Sequence, residues 1–328
     1  MKKSIVYFLI MIFALPALSQ HLLAQDAPEQ EDEEKEPEIE YRLKVKYDPK
    51  IYNSYKLTES NDVTRVYSDS SIVKYNRTIT YFFTLYAPDP PEEGFLDIDV
   101  AVDSMRYKLV HGEQIYEYDT QRDMESVFIF DREVASVPAT KEFSMIYSPY
   151  GEVAEISGDM LDFETEKLFK YGDRLDTLKK FVWYRGLSAE HLAYLVDVPK
   201  GLLPYGPVTE DSIWTKPVKF DVNGVAFSDT MVVRINEHSR GTFLIEAAAD
   251  SLTPVESAGR FYQIKELAEI RGGVAKGTFE MELIPSGVIG FAEAKIKGVI
   301  YPKVKKEEFK EYVDTKITWE LEGQFRFK

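Results

Sequence analysis

Of the four histidines, only His111, His191 and His238 lie beyond an apolar N-terminal leader, and none stands in a His-Glu-x-x-His or triad spacing. Each falls at a turn or a helix start (His111 before Gly112, His238 near Gly241, His191 after Glu190), where a surface position is expected. No Gly-x-Ser-x-Gly elbow, phosphate-binding glycine loop or Gly-x-Gly-x-x-Gly occurs. The glycine-rich run from Arg271 to Gly277 lacks a strand-to-helix context and reads as a turn. Asp97, Asp99 and Asp103 share one face of an alternating strand. A calcium site would also need loop ligands that are not visible there, so solvent-side aspartates are the simpler reading. The chain has no cysteine, which removes disulfides and thiol chemistry. A carboxylate pair for glycoside hydrolysis cannot be singled out among 56 acidic residues. No catalytic residue, metal ligand or cofactor is therefore assigned, and the chain is read as a non-enzyme.

What remains is burial of aromatic surface. Phe169, Tyr171, Phe181, Trp183 and Tyr184 sit in one helical stretch and are the candidates to line an apolar groove. The alternative is that they simply make core.

The stretch that must position them runs from 159 to 207. Leu161, Leu168, Leu175 and Leu178 recur along one side of a helix starting near Asp159, with Glu164, Lys167, Asp173, Lys179 and Lys180 opposite. Ser188 is the expected N-cap of a second helix that ends before Pro199. Pro199, Gly201, Pro204, Gly206 and Pro207 then mark a hinge or turn.

A β-rich half lies on either side of that stretch, over 41–158 and 208–328. The first opens with Tyr41–Tyr47, alternating apolar and basic, and continues through expected strands at 75–86, 95–104, 106–118 and 126–130 to a hairpin over 143–158. The second carries expected strands at 212–222, 225–236, 242–249, 261–270, 291–301 and 316–327. One device recurs: Phe143, Met145, Pro149, Gly151 and Val153 match Phe279, Met281, Pro285, Gly287 and Ile289, all shifted by 136 residues (279 − 143). This fits either an internal duplication or two similar hairpins. The expected fold is mainly β (α+β): two antiparallel curved lobes or half-barrels joined by a central helical segment.

Residues 1–25 have the two lysines, short apolar run and polar exit of a signal peptide, cut after Ser19 or Gln25. The run of about 14 residues is short for a membrane span, which needs about 20. No cysteine follows it, so the chain is not a lipoprotein. Residues 26–40 hold nine acidic residues against Lys35 and read as an acidic disordered tether. The net charge of −16 argues against nucleic acid and against a basic patch for anionic headgroups. No transmembrane segment is expected in the mature chain. A barrel of alternating strands has to be weighed for a secreted chain, but the helical stretch and Pro-rich hinge interrupt the series.

Two resemblances extend this reading. Ser148-Pro149-Tyr150-Gly151-Glu152-Val153, then Leu203-Pro204 to Trp214, then Gly277 to Gly287, resemble a family of secreted proteins from Gram-negative bacteria of the Bacteroides type, for which no activity is established. Its architecture is in turn similar to the periplasmic lipoprotein carriers, half-barrels with helices in the concavity, a fold analogy only. Five sites, at Ser104, Thr177, Ser212, Thr230 and Ser251, resemble the Asp-Ser/Thr-apolar consensus that some of these bacteria use for O-glycosylation in the periplasm. The resemblance implies sugars at some of them.

The expectation is an exported protein, periplasmic or associated with the outer membrane, that binds or carries an apolar small molecule or lipid non-covalently. Its rivals are a structural or protein-interaction component of the cell envelope, and a carbohydrate-active enzyme.

Overall fold

The computed structural model describes residues 39–122, 127–171 and 177–326. The leader and all but the last two tether residues lie outside the described residues, as do the side chains of Leu168, Phe169 and Tyr171.

Period-two burial builds the sheet. In β1 (Tyr52–Tyr67) the inward row includes Tyr55, Leu57, Glu59, Asn61, Val63 and Arg65, and in β2 (Ile72–Tyr86) it runs from Tyr75 through Arg77, Ile79, Tyr81 and Phe83 to Leu85. The chain continues through β3 (Leu96–His111), β4 (Gln114–Asp119), a short helix α1 (Phe130–Ser136), β5 (Glu142–Tyr147) and β6 (Val153–Ser157). Three helices follow: α2 (Asp159–Tyr171), α3 (Thr177–Gly186) and α4 (Ala189–Val196). The second half is β7 (Ile213–Val222), β8 (Val225–Ser239), β9 (Thr242–Pro254), β10 (Ala258–Gly259), β11 (Ala268–Leu283), β12 (Ile289–Val304) and β13 (Glu307–Phe325).

All thirteen strands belong to one open antiparallel sheet, ordered β6-β5-β3-β2-β1-β13-β12-β11-β9-β8-β7, with β4 on β3 and β10 on β11. The mainly β architecture is as expected. The two halves meet in a seam, where β1 pairs with β13 from Tyr52 opposite Phe325 to Tyr67 opposite Phe309, and residues 39–328 form one compact unit. One principal core spans both halves, with Tyr55, Phe83 and Leu192 in the same cluster as Phe220, Phe279 and Trp319.

The two faces of the sheet differ sharply. The outward face carries Lys56 against Glu320 (3.0 Å), Lys316 against Glu293 (2.6 Å), Lys297 against Asp314 (2.8 Å) and a row of threonines on β1 and β2. A lipid-facing barrel needs the reverse, an apolar outer band. The inner face is covered by α4, by residues 197–208, by the β7–β8 turn and by Phe261, whose ring meets Phe309 edge-on at 5.6 Å.

Four expectations change. Residues 127–129 have no regular structure, and a helix starts at Phe130 where a strand was expected, its first turn carrying Asp131 and Glu133 as the helix dipole favours. Most of 261–270 is loop. The Arg271–Gly277 run is not a turn but part of β11, where a Cβ on Gly273 would lie 2.8 Å from the Val299 carbonyl; the glycine lets two strands approach. Finally, Tyr41–Tyr47 is extended, burying Leu43, Val45 and Tyr47, but makes no ladder. It is a strap. Val45 N–H donates to Pro149 O (2.8 Å), Lys46 N–H to Gly287 O (2.8 Å), and Tyr41 bridges Val208. The strap thus ties together the two Pro-x-Gly turns that the 136-residue match predicts. In each turn the glycine N–H returns to the residue three before it, Gly151 to Ser148 (3.0 Å) and Gly287 to Ile284 (2.8 Å).

Candidate functional site

The helical segment forms as expected, with Ser188 capping α4 by accepting from His191 N–H (3.3 Å). Its described candidate aromatic side chains, Phe181, Trp183 and Tyr184, pack on or beside α1 rather than converging on an enclosed groove. α3 packs on α1 through a satellite cluster of Val134, Val137 and Val182, against which Phe130, Trp183 and Leu187 are half-buried. The contact is close enough that a Cβ on Gly186 would lie 2.5 Å from that of Val137. Phe181 remains 38% exposed, its ring stacked on Phe130 at 5.8 Å with the Arg260 guanidinium over both. Tyr184 is 68% exposed. Phe128 and Phe163, in the same helical layer, are also exposed. The positions of Phe169 and Tyr171 are on the last turn of α2, their side chains outside what is described. Sequence periodicity misses this outcome because three valines are all the interior that α1 and α3 share.

A second feature lies where the strap, the β5–β6 turn and the Pro-rich segment meet. There a cleft of ≈ 160 Å³ is bounded by Arg42 and Lys44 on one side, Tyr150 at its base, and Pro204, Tyr205 and Pro207 on the other. The two tyrosine rings meet edge-on at 5.0 Å. Lys216, 3% exposed, lies 3.2 Å from the centroid of the Tyr205 ring and 3.3 Å from Glu152, which also accepts the Tyr205 hydroxyl. Burial lowers the Lys216 ammonium pKa, and Glu152 opposes that shift. The hinge is rigid here: Gly201 N–H donates to Gly151 O (3.0 Å), Trp214 Nε1 donates to Leu202 O (2.8 Å), and Leu202 and Leu203 are fully buried.

The inner face of the seam holds the most unusual chemistry. Arg65 donates from Nε and Nη2 to Glu311 Oε1 (2.9 and 2.5 Å), both side chains wholly buried. Asn223, at the β7–β8 turn, donates to Glu311 Oε2 (3.2 Å) and to the Tyr75 hydroxyl (3.0 Å). Arg77 joins Glu59 to Asp131, and Glu59 also accepts from Asn61 (2.6 Å) and from Tyr194 of α4 (2.8 Å). Nearly every carboxylate oxygen is used, so these groups pin the β7–β8 turn and α4 onto the sheet. Lys200 is buried by Tyr194 and Trp319, with Asp197 3.8 Å away; desolvation lowers its pKa and raises that of Asp197.

His111 and His238 lie at the surface as expected, His238 stacked on Phe243 (4.2 Å). His191 does not: its Nε2 is buried without a partner, and burial together with Arg185 lowers its pKa to about 4. Asp99 and Asp103 accept from Ser144 (2.9 Å) and Thr84 (3.1 Å). Among the described residues no group of three or more His, Asp or Glu could hold a metal ion. Of the five consensus hydroxyls, Ser104 is 3% exposed inside β3, which leaves no room for a sugar. Ser212 is half-buried, accepting from Thr209 N–H (2.8 Å), while Thr177, Thr230 and Ser251 face solvent.

No family model matches the chain. No curated protein matches it either. Among solved structures, lipovitellin, in a structure of its lipid–protein interactions, aligns at a TM-score of 0.43 and 9% identity over 86% of this chain and 26% of lipovitellin. The chain thus spans about a quarter of that protein's length. Salmonella typhi OmpF in complex with daunomycin aligns at 0.21 and 8% identity, over 84% of this chain and 100% of that one. Pseudomonas aeruginosa OpdQ aligns at 0.15 and 6%, over 84% and 99%. At TM-scores this low the likenesses bear on neither fold nor function, which rest on the chain's own geometry.

Proposed function

We propose that this is an exported protein of the cell envelope that works by non-covalent binding of an apolar or lipidic partner, taken up on the α1–α3 face rather than in an internal cavity. The observation that carries the reading is the exposure of Phe181 and Tyr184 on a helix pair with a three-valine interior, in a molecule whose inner sheet face is covered by its own side chains. Exposed aromatic side chains beside Arg260 and Arg185 offer an amphipathic partner apolar and charged contacts together. Flat lipid or sterol-like surface can lie on Phe130, Phe181 and Tyr184 while the guanidinium groups meet its polar end.

The test is native mass spectrometry of the mature protein purified from its own envelope fraction, followed by denaturing extraction. A co-purifying lipid is expected, and Phe181→Glu with Tyr184→Glu should remove it while leaving the urea midpoint within about 0.5 kcal/mol of wild type, as for other surface changes. A bare protein, or an adduct that survives both substitutions, would overturn the reading.

A further inference from the structure

We propose that the cleft between the strap and the Pro204–Pro207 segment is a second binding site, for a small ligand that carries an oxyanion on a ring able to lie against a tyrosine face. Arg42 and Lys44 hold the oxyanion, and Tyr150 and Tyr205 hold the ring.

Charge accounting points to the first half of this. The chain has 16 more acidic than basic residues, and its cations are heavily used: Arg65, Arg77, Arg106, Lys56, Lys216 and Lys297 each have a carboxylate within 4 Å. Arg42 and Lys44 pair with no carboxylate among the described residues, although they border a concavity. Lys44 lies 5.9 Å from the Tyr150 ring centroid. Two acids of the surrounding segments already have partners. Glu152 serves Lys216 and Tyr205, and Glu210 serves Tyr41 (3.2 Å) and His238 (3.2 Å). Two cations that pair with no carboxylate among the described residues, beside a cleft in a strongly acidic protein, are a place for an external anion.

Shape supplies the second half. Tyr150 and Tyr205 stand edge-on to each other, so they offer two walls at a right angle, 86° between planes. The Tyr205 ring is fixed from behind by Lys216 and from its hydroxyl by Glu152. Tyr150 is fixed by its turn, where Gly151 takes φ +82° and Pro199 leaves no room for a Cβ at that position. Pro204 and Pro207 remove two backbone donors from the wall and limit its motion. A ring acid fits such a corner, an aromatic carboxylate by stacking its plane on a tyrosine face and a sugar acid by laying the CH face of its chair there. Tyr205 is held by its own contacts to Glu152 and Lys216, which lowers the ordering cost of a ring placed against it.

The site is tested by isothermal titration of the mature protein with 4-hydroxybenzoate and with glucuronate, the two sources of that shared chemistry, against phenol and glucose as their neutral counterparts. At least one acid should bind, about tenfold or more tighter than its neutral counterpart, with affinity falling as salt rises. Arg42→Gln and Lys44→Gln should each weaken it by about tenfold. Lys46→Gln, the same charge change on an exposed neighbour outside the cleft, should leave it unchanged. Urea midpoints of all three variants serve as the folding control. Absence of binding by both acids, equal binding of the neutral compounds, or an equal loss in Lys46→Gln would overturn the proposal. Which acid binds distinguishes the aromatic from the saccharide source.

Discussion

Asp221 shows how burial at single residues sets the behaviour of this interior. It accepts from Gly224 N–H (2.6 Å) at the β7–β8 turn, and burial, reinforced by the Glu59 carboxylate, pushes its pKa up to about 6, with Arg77 and Arg185 opposing. Its unfolded value is the ordinary 3.8. A carboxyl raised on folding binds its proton more tightly in the folded state. Its contribution to stability is therefore largest below about pH 4, falls as pH rises through 6, and is flat above. His191 acts in the opposite sense: its folded pKa of about 4 lies below the ordinary 6.5, so stability is lost as pH falls through that window. The two offset each other between pH 4 and 6. Asp221→Asn keeps the acceptor for Gly224 and removes the charge, so it should be more stable than wild type at pH 7.5, on the order of 2 kcal/mol. The gap should close near pH 4. Urea unfolding at pH 4, 6 and 7.5 measures it, and a gap that is the same at all three would refute the assignment.

At the scale of elements, the paired Pro-x-Gly turns and the strap they hold are the most exacting local structure. Gly151 and Gly287 take φ of +82° and +83°, and an added Cβ would meet Pro199 Cγ at 2.6 Å or Lys46 Cβ at 2.8 Å. Gly112 has φ +61° but open space around it. Gly112→Ala should cost about 1 kcal/mol, the left-handed penalty alone, whereas Gly151→Ala and Gly287→Ala should cost a further 1–3 kcal/mol or so from overpacking. Equal midpoint shifts for the three variants in urea would mean that the strap is not clamped there. These turns were legible because their residues repeat, and so were α4, through Ser188, and most long strands, through alternation. β1 was not legible at all. Its inward row contains Asn53, Glu59, Asn61 and Arg65, whose partners are Gln324, Thr315 and Glu311 on the distant β13 and Arg77 on β2, so no apolar alternation marks it. The same holds for the cleft, whose walls are a tyrosine from a hairpin, a proline segment and the strap, brought together only by folding. The helix at Phe130 was hidden by a β-favouring run, Val127-Phe128-Ile129-Phe130, of which only Ile129 is buried and Phe130 half-buried as the chain leads into α1.

For the molecule as a whole, the question is whether two halves that read as separate lobes behave as one. The seam answers it physically. Over its length β13 has β1 on one side and β12 on the other, with Val313 opposite both Val63 and Gly298. Tyr52 stacks between Tyr86 and Phe325 at 4.3 and 5.4 Å, so an aromatic row also crosses the join. Beneath it Arg65 and Glu311 come from opposite ends of the chain, Asn223 ties the β7–β8 turn to Glu311, and Tyr194 ties α4 to Glu59, the partner of Arg77. Removing either half would strand buried charges of the other, which is among the larger penalties known for single lesions, about 3–5 kcal/mol for one broken pair. Neither half should therefore persist without the other. Calorimetry should show one transition whose van 't Hoff and calorimetric enthalpies agree. Val313→Pro, which removes a central-strand N–H at the seam, should lower that single transition rather than split it. Trp183, Trp214 and Trp319, lying in α3, β7 and β13, give a fluorescence readout in the helices, the second half and the seam, and all three should melt together. Two resolved transitions, or a Val313→Pro protein in which β7–β9 melts early while β2–β5 stays protected from hydrogen exchange, would mean that the seam joins two lobes without coupling them.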